Sequence, residues 1–238
     1  MSIRAVLFDL DETLFDHSHS ATRSMELLRA QYECLQSKSL DEIMAEYRRL
    51  LELLHIDVLT GRLTQDQARI DRMRGIFRFC GVDMDFEDAA AVAVLHRDCY
   101  RTTQRAIPGA RELLEALRGR VKVGIVTNNL LEEQRVKLEV CGLSSFIDEL
   151  ITSEEYGCRK PDAEIFKIAL DRLQCSKEEA VMVGDSWETD IIGARNAGIR
   201  PIWFNRAGAT RPANESPVTE IASLVPHETV IRTICSRG

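Results

Sequence analysis

The 238-residue sequence predicts an α/β fold, a doubly wound parallel sheet interrupted by an inserted helical bundle. Three observations support this. Short apolar runs rich in Val and Ile alternate with helical stretches of about ten to fifteen residues, as in βαβ units. These runs are continuous rather than alternating, as in strands buried on both faces. A long stretch, residues 17–104, breaks that rhythm and shows helical periodicity with almost no strand signal.

The first strand reads Ile3 to Asp9. In "IMAEYRRLLELL" the apolar residues Ile43, Tyr47, Leu50, Leu51 and Leu54 follow helical spacing. "ARIDRMRGIFRFCGV" repeats it through Ile70, Met73, Phe77 and Cys80 and stops at Gly81. "DFEDAAAVAVLHRDCYRTT" is a further helix, so 17–104 reads as a bundle of about four helices. Tyr47, Met73 and Phe77 fit the bundle's own core. The expected division is 1–16 with 105–238 as the α/β part and 17–104 as the helical part, with hinges near 15–20 and 103–108.

Pro108 and Gly109 mark the return to α/β texture, followed by a helix. "VKVGIVT" (121–127) is a strand, and "LLEEQRVKLEVCG" a helix closed by Gly142. "FIDELITS" (146–153) is a short strand. "KPDAEIFKIALDRLQ" is a helix with Pro161 near its first turn, where proline is tolerated. "EAVMVGDS" (179–186) is a strand, "ETDIIGARNAG" a helix ending at Gly198, and "IRPIWF" (199–204) the last strand. "NRAGATRPANESP" is a polar loop before a short helical tail.

Composition narrows the function classes. Apolar residues make up 45% and charged residues 29%, an ordinary globular balance. No apolar run is long enough to span a bilayer, and Asp9 and Asp11 interrupt the N-terminal stretch too early for a signal peptide. The net charge is −7 with dispersed basic residues, which argues against a nucleic-acid-binding face. An anionic ligand must then be held by local groups or a metal. Seven cysteines without a CxxC pair read as reduced thiols of a cytoplasmic protein, mostly small core residues, and not as a zinc site.

Right-handed crossovers bring the strand C-termini to one edge, where open α/β sheets bind ligands. The residues arriving there are Asp9-Leu10-Asp11, Thr127-Asn128-Asn129, Lys160 after the third strand, and Gly184-Asp185-Ser186. Residues two apart in a strand point the same way, so Asp9 and Asp11 can address one site. Crowded carboxylates repel unless a cation joins them or a proton is shared. Their oxygens suit Mg²⁺, which binds through a few carboxylates plus phosphate oxygens and water. Lys160 offers a point charge for a phosphate or for Asp9, and Thr127 a hydroxyl for a phosphoryl oxygen. Asp9, its pKa lowered by Lys160 and metal, has the chemistry of a nucleophile, and Asp11 that of a general acid and base.

Four motifs carry a resemblance. "DLDET" resembles the DxDxT signature of the haloacid dehalogenase-like (HAD) hydrolase superfamily. "VTN", Lys160 in "GCRKP", and "GDSWETD" resemble its second, third and fourth motifs, in the family's order. The resemblance covers roughly 1–15 and 106–205, and it implies a Rossmann-like core with the helical insert as a cap. It implies Asp9 as nucleophile and Mg²⁺ ligand, and Asp11 as acid/base, offering the metal its backbone carbonyl. Asp185 becomes the third ligand, and Thr127 and Asn128 touch the phosphoryl group. Asp190 supports the metal site or Lys160, and Thr13 steadies the loop.

The implied reaction is Mg²⁺-dependent hydrolysis of a small phosphorylated metabolite through phospho-Asp9. Nucleotidase-like and acylneuraminate-9-phosphatase-like members look most similar, suggesting a nucleoside monophosphate or a sugar phosphate. Alternatives within the superfamily are a phosphomutase, which also needs Asp11, and a haloacid dehalogenase, which does not. A phosphonatase would want a cap lysine, and 17–104 offers only Lys38. A non-catalytic binding protein on the same fold is the alternative from another class. His17, His19 and Arg159 are open to substrate contact or plain exposure, and Trp187 to packing.

Overall fold

The computed structural model describes residues 2–236, in two compact units: Met1–Asp16 with Arg105–Gly238, and His17–Gln104. In the first unit six parallel strands form one sheet. They are β1 (Ala5–Phe8), β2 (Lys122–Thr127), β3 (Glu149–Thr152), β4 (Ala180–Gly184), β5 (Arg200–Phe204) and β6 (Thr219–Ile221). Their order is β3-β2-β1-β4-β5-β6, so the chain reverses direction across the sheet beside β1. That switch point opens a crevice at the strand C-termini.

Packing explains why β1 is apolar throughout. All four of its residues are buried, and Leu7 joins Val126, Ile151, Phe166 and Met182 in one cluster. Ladder bonding runs past the strand at both ends, with Lys122 N–H donating to the Arg4 carbonyl at 2.8 Å and Asp9 N–H to Val183 at 3.0 Å. Asp9 is therefore held as an extension of a central strand. Gly124 in β2 has a packing reason, since a Cβ there would lie 2.8 Å from Leu173 and 3.0 Å from Leu7.

The second unit contains α1 (His17–Gln31), α2 (Leu40–Leu59), α3 (Gln65–Phe79) and α4 (Phe86–Thr102). Local chemistry starts three of them. Ser39 and Glu42 form a capping box on α2, and Thr64 and Asp85 cap α3 and α4. Met25, Leu28, Ile43, Tyr47, Met73, Ile76 and Phe77 form its core, so Tyr47, Met73 and Phe77 pack as the periodicity predicts.

The first unit's helices are α5 (Ala110–Leu117), α6 (Leu131–Val140), α7 (Ser153–Tyr156), α8 (Ala163–Leu173), α9 (Ile192–Asn196) and α10 (His227–Cys235). Several details depart from expectation. β6 lies in the stretch read as loop and tail, and at three partly exposed residues it is too short to show periodicity. Pro161 lies just before the Asp162 N-cap of α8, near the first turn as expected. The helix after β4 opens as a π-helical turn, Trp187–Ile191. The cysteines flank the core more than they fill it: six are half-buried, with Cys34, Cys80, Cys158 and Cys175 packed against the core clusters, Cys235 is exposed, and all seven are unpaired. Trp187 packs edge-on against Trp203, with ring centres 4.9 Å apart. Among the described residues no helix is long and apolar enough to cross a membrane.

Candidate active site

Asp9 extends β1 into the crevice, and Lys160 meets it from the loop after β3. The Lys160 ammonium donates to Asp9 Oδ1 at 2.5 Å and to Asp190 Oδ1 at 2.6 Å. All three are at least nine-tenths buried. The other Asp190 oxygen accepts from the Ser186 N–H at 3.0 Å, so Asp190 spans the π-helical turn back to the lysine. This explains Gly184, because a Cβ there would run into the Asp190 carboxyl group. Asp185 is positioned from two sides. Thr13 Oγ1 donates to its carboxylate at 3.2 Å, and Trp203 Nε1 donates to its carbonyl at 2.8 Å.

Asp11 stands two residues on but is held by another set of donors. Lys137 Nζ reaches its two oxygens at 2.6 and 2.9 Å, Gln134 Nε2 donates at 2.9 Å, and Asn129 Nδ2 at 3.3 Å. All three donors follow β2, two of them from α6. The turn that carries Asp11 away from the strand is tight: Leu10 C=O accepts from the N–H groups of Thr13, Leu14 and Phe15, and Glu12 adopts a φ of 64°. A left-handed glutamate is locally strained, as backbone often is around reacting groups.

Thr127 Oγ1 accepts from Gln134 Nε2 at 2.8 Å, which ties β2 to the Asp11 support. The Asn128 amide forms a reciprocal pair with the Lys160 main chain, each bond 2.8 Å. Its side chain thereby positions the lysine loop. Arg159 is exposed, and His17 and His19 belong to α1 of the helical unit. His17 Nδ1 lies 2.8 Å from the Tyr100 hydroxyl.

Burial raises the Asp9 pKa to about 7; Lys160 lowers it, as expected, while Asp190 and Asp11 add to the rise, so the lysine alone does not offset burial. Burial likewise pushes Asp185 up to about 8, helped by Asp9 and Asp190. Burial works against the Lys160 ammonium, but Asp190 and Asp9 hold it above its ordinary value. Asp9, Asp185 and Asp190 bring ligand oxygens within 4.8 Å of one another. Three carboxylates against one ammonium leave an excess of two negative charges. An all-oxygen set with that excess fits a hard divalent cation.

Sequence reasoning missed Lys137 and Gln134, and it placed Asn129 at the sheet edge without giving it a role. A signal existed: α6 has a weak apolar face, and it buries Gln134 and Lys137, three residues apart, toward the sheet edge.

Parallel topology, two acids beyond the central strand, and a buried lysine shared by carboxylates define a hydrolase class. The haloacid dehalogenase-like hydrolase profile matches residues 3–198, and this chain belongs to that family. It is similar to the pyrimidine 5'-nucleotidase YjjG of Escherichia coli K12, 30% identical over 92% of this chain and 93% of that one. The ribulose-1,5-bisphosphate 5-phosphatase of Halopiger xanaduensis is 33% identical over 92% of this chain and 89% of its own. The magnesium-bound structure of the HAD-hydrolase YfnB from Bacillus subtilis superposes with a TM-score of 0.76 at 26% identity, covering 100% of both chains. With relatives of these kinds, the chain is a phosphatase-type hydrolase.

Proposed function

We propose that the protein hydrolyses a small phosphomonoester in two steps through an aspartyl-phosphate on Asp9. The observation that carries this is the Asp9 carboxylate at the end of a central strand, 2.5 Å from a buried ammonium and beside Asp185 and Asp190. In the first step an Asp9 oxygen attacks phosphorus and the ester P–O bond breaks. Asp11 gives its proton to the departing alcohol oxygen. In the second step Asp11 takes a proton from water as the water oxygen attacks phosphorus. Inorganic phosphate leaves and Asp9 is restored.

Lys160 neutralises charge beside the transferring group and orients Asp9. Asp190 holds Lys160, and Thr13 holds Asp185. Thr127 offers its hydroxyl to a phosphoryl oxygen, and Asn128 serves by fixing the Lys160 loop and offers its main chain. Asp9, Asp185 and the Asp11 carbonyl would hold Mg²⁺, which supplies positive charge to the phosphoryl oxygens. The helical unit takes the part of the cap that excludes water and selects substrate. Substrates are nucleoside monophosphates or sugar phosphates, in line with the names of relatives. A cytoplasmic setting agrees with seven unpaired cysteines. The need for a proton at the leaving oxygen, met by Asp11, favours phosphate over halide chemistry.

The experiment is a phosphomonoester panel with and without Mg²⁺, on wild type and Asp9→Asn. Metal-dependent phosphate release is expected, with a loss on the order of 10⁴-fold or more in Asp9→Asn. Release equal in the two proteins contradicts the reading.

A further inference from the structure

A buried cation in the helical unit has no anion of its own. Arg72, on α3, is only 8% exposed. Among the described residues no carboxylate comes within ion-pair distance of it, and its enclosed Nε donates to no protein atom. Its guanidinium lies over the Tyr47 ring, 4.8 Å from the centre. The acids of the same helix are engaged elsewhere: Asp66 takes Arg69 at 2.8 Å and Arg97 at 3.7 Å, and Asp71 accepts from Gln67 Nε2 at 3.1 Å.

His96 and Ser24, which neighbour Tyr47 and Arg72, add no negative charge. His96 of α4 is buried, with its ring 5.5 Å from that of Tyr47. Ser24 Oγ donates to the Ala21 carbonyl at 2.9 Å, so its oxygen accepts from His96 Nε2 at 3.0 Å. Burial, with Arg72, His17 and Arg69 adding to it, takes the His96 pKa down to about 3. His96 is therefore neutral, and the positive charge at this spot is that of the arginines. A guanidinium cannot shed its proton, and buried charges in proteins are normally paired. A helix interior that keeps a charge unpaired is retaining it for something other than stability.

We propose that Arg72, backed by Tyr47 and His96, is an oxyanion-binding site of the helical unit, taking a carboxylate or phosphate group of a small ligand. The planar fork of arginine suits both groups through paired N–H···O bonds. This assignment does not depend on the phosphatase chemistry of the α/β unit.

The test uses the full chain without added metal. Thermal unfolding is followed in sodium chloride, sodium phosphate and sodium malonate at one pH and ionic strength. The proteins are wild type, Arg72→Met, Arg72→Lys and Asp9→Asn. In chloride, Arg72→Met is expected to unfold no lower than wild type, because an apolar chain of similar length removes a buried unpaired charge. In phosphate, malonate or both, wild type and Asp9→Asn rise by the same several degrees, as binding to the folded state requires. Arg72→Met does not rise, and Arg72→Lys rises by less than half as much. Which anion acts identifies the group recognised. A rise that is equal in Arg72→Met, absent in wild type, or lost in Asp9→Asn overturns the proposal. So does an Arg72→Met protein that unfolds well below wild type in chloride.

Discussion

The two units treat buried charge in opposite ways. In the α/β unit each buried cation meets a carboxylate: Lys160 meets Asp9 and Asp190, and Lys137 meets Asp11. Asp16, itself 2% exposed, takes Arg105 and Arg206 at 2.7 and 2.9 Å. In the helical unit Arg72 is buried against an aromatic ring, and His96 is buried neutral. Matched pairs add little net stability, but they fix where a carboxylate oxygen points. An unmatched guanidinium fixes nothing by itself and keeps its attraction for an arriving anion. One arrangement suits holding reacting groups, the other suits recognition.

Lys137 gives the sharpest way to break this comparison. Lys137→Met takes this ammonium away from Asp11 and keeps the Gln134 and Asn129 amides in place. If the pair serves to aim Asp11, kcat falls by about 10²- to 10³-fold with KM nearly unchanged, within the range of lost acid–base catalysis. The acid–base limbs of the kcat pH profile also move, and Lys137→Arg recovers part of the rate. A Lys137→Met enzyme with unchanged kcat and pH profile would reduce the pair to a structural contact.

Acid stability probes the helical unit, with a smaller effect. The folded pKa of His96 lies near 3, below the usual value of about 6.5. Between those values the unfolded chain binds the proton and the folded chain does not. Stability is thus full above about 6.5 and falls as the pH drops toward 3, by up to about 1.4 kcal/mol per unit. Urea unfolding at a series of pH values from 7 to about 4 measures the slope, and His96→Gln is expected to flatten it. An unchanged slope in His96→Gln would assign the acid sensitivity to other groups.

Much of the candidate site was legible because Asp9, Asp11, Thr127 and Asp185 sit at or just past strand ends, where a polar residue after an apolar run stands out; Lys160 lies in the loop after β3 and α7 and was legible through its motif. Their supports were less legible. Lys137 and Gln134 lie in a helix whose weak apolar face is their one signal in the sequence, and the packing of α6 shows them buried beside Leu138. The spacing in "GDSWETD" located Asp190, but its bond to Lys160 needs the π-helical turn and the room above Gly184. Asn128 stands out at the end of β2, but the pairing of its side chain with the Lys160 main chain is visible only in the fold. Helical periodicity located the core of the second unit, yet it carried no sign of Arg72, because an arginine on a helix reads as solvated surface. β6 was lost because three residues at a sheet edge carry no pattern.

The most direct test of the mechanism is to find the phosphoryl group. Asp11→Asn, mixed with a cleaved substrate and Mg²⁺, is quenched in acid, digested and mapped by mass spectrometry. Impaired water activation is expected to leave an acyl phosphate on the peptide containing Asp9, lost on treatment with hydroxylamine. Turnover by wild type together with a phosphoryl group on another residue, or on none, contradicts Asp9 as the nucleophile.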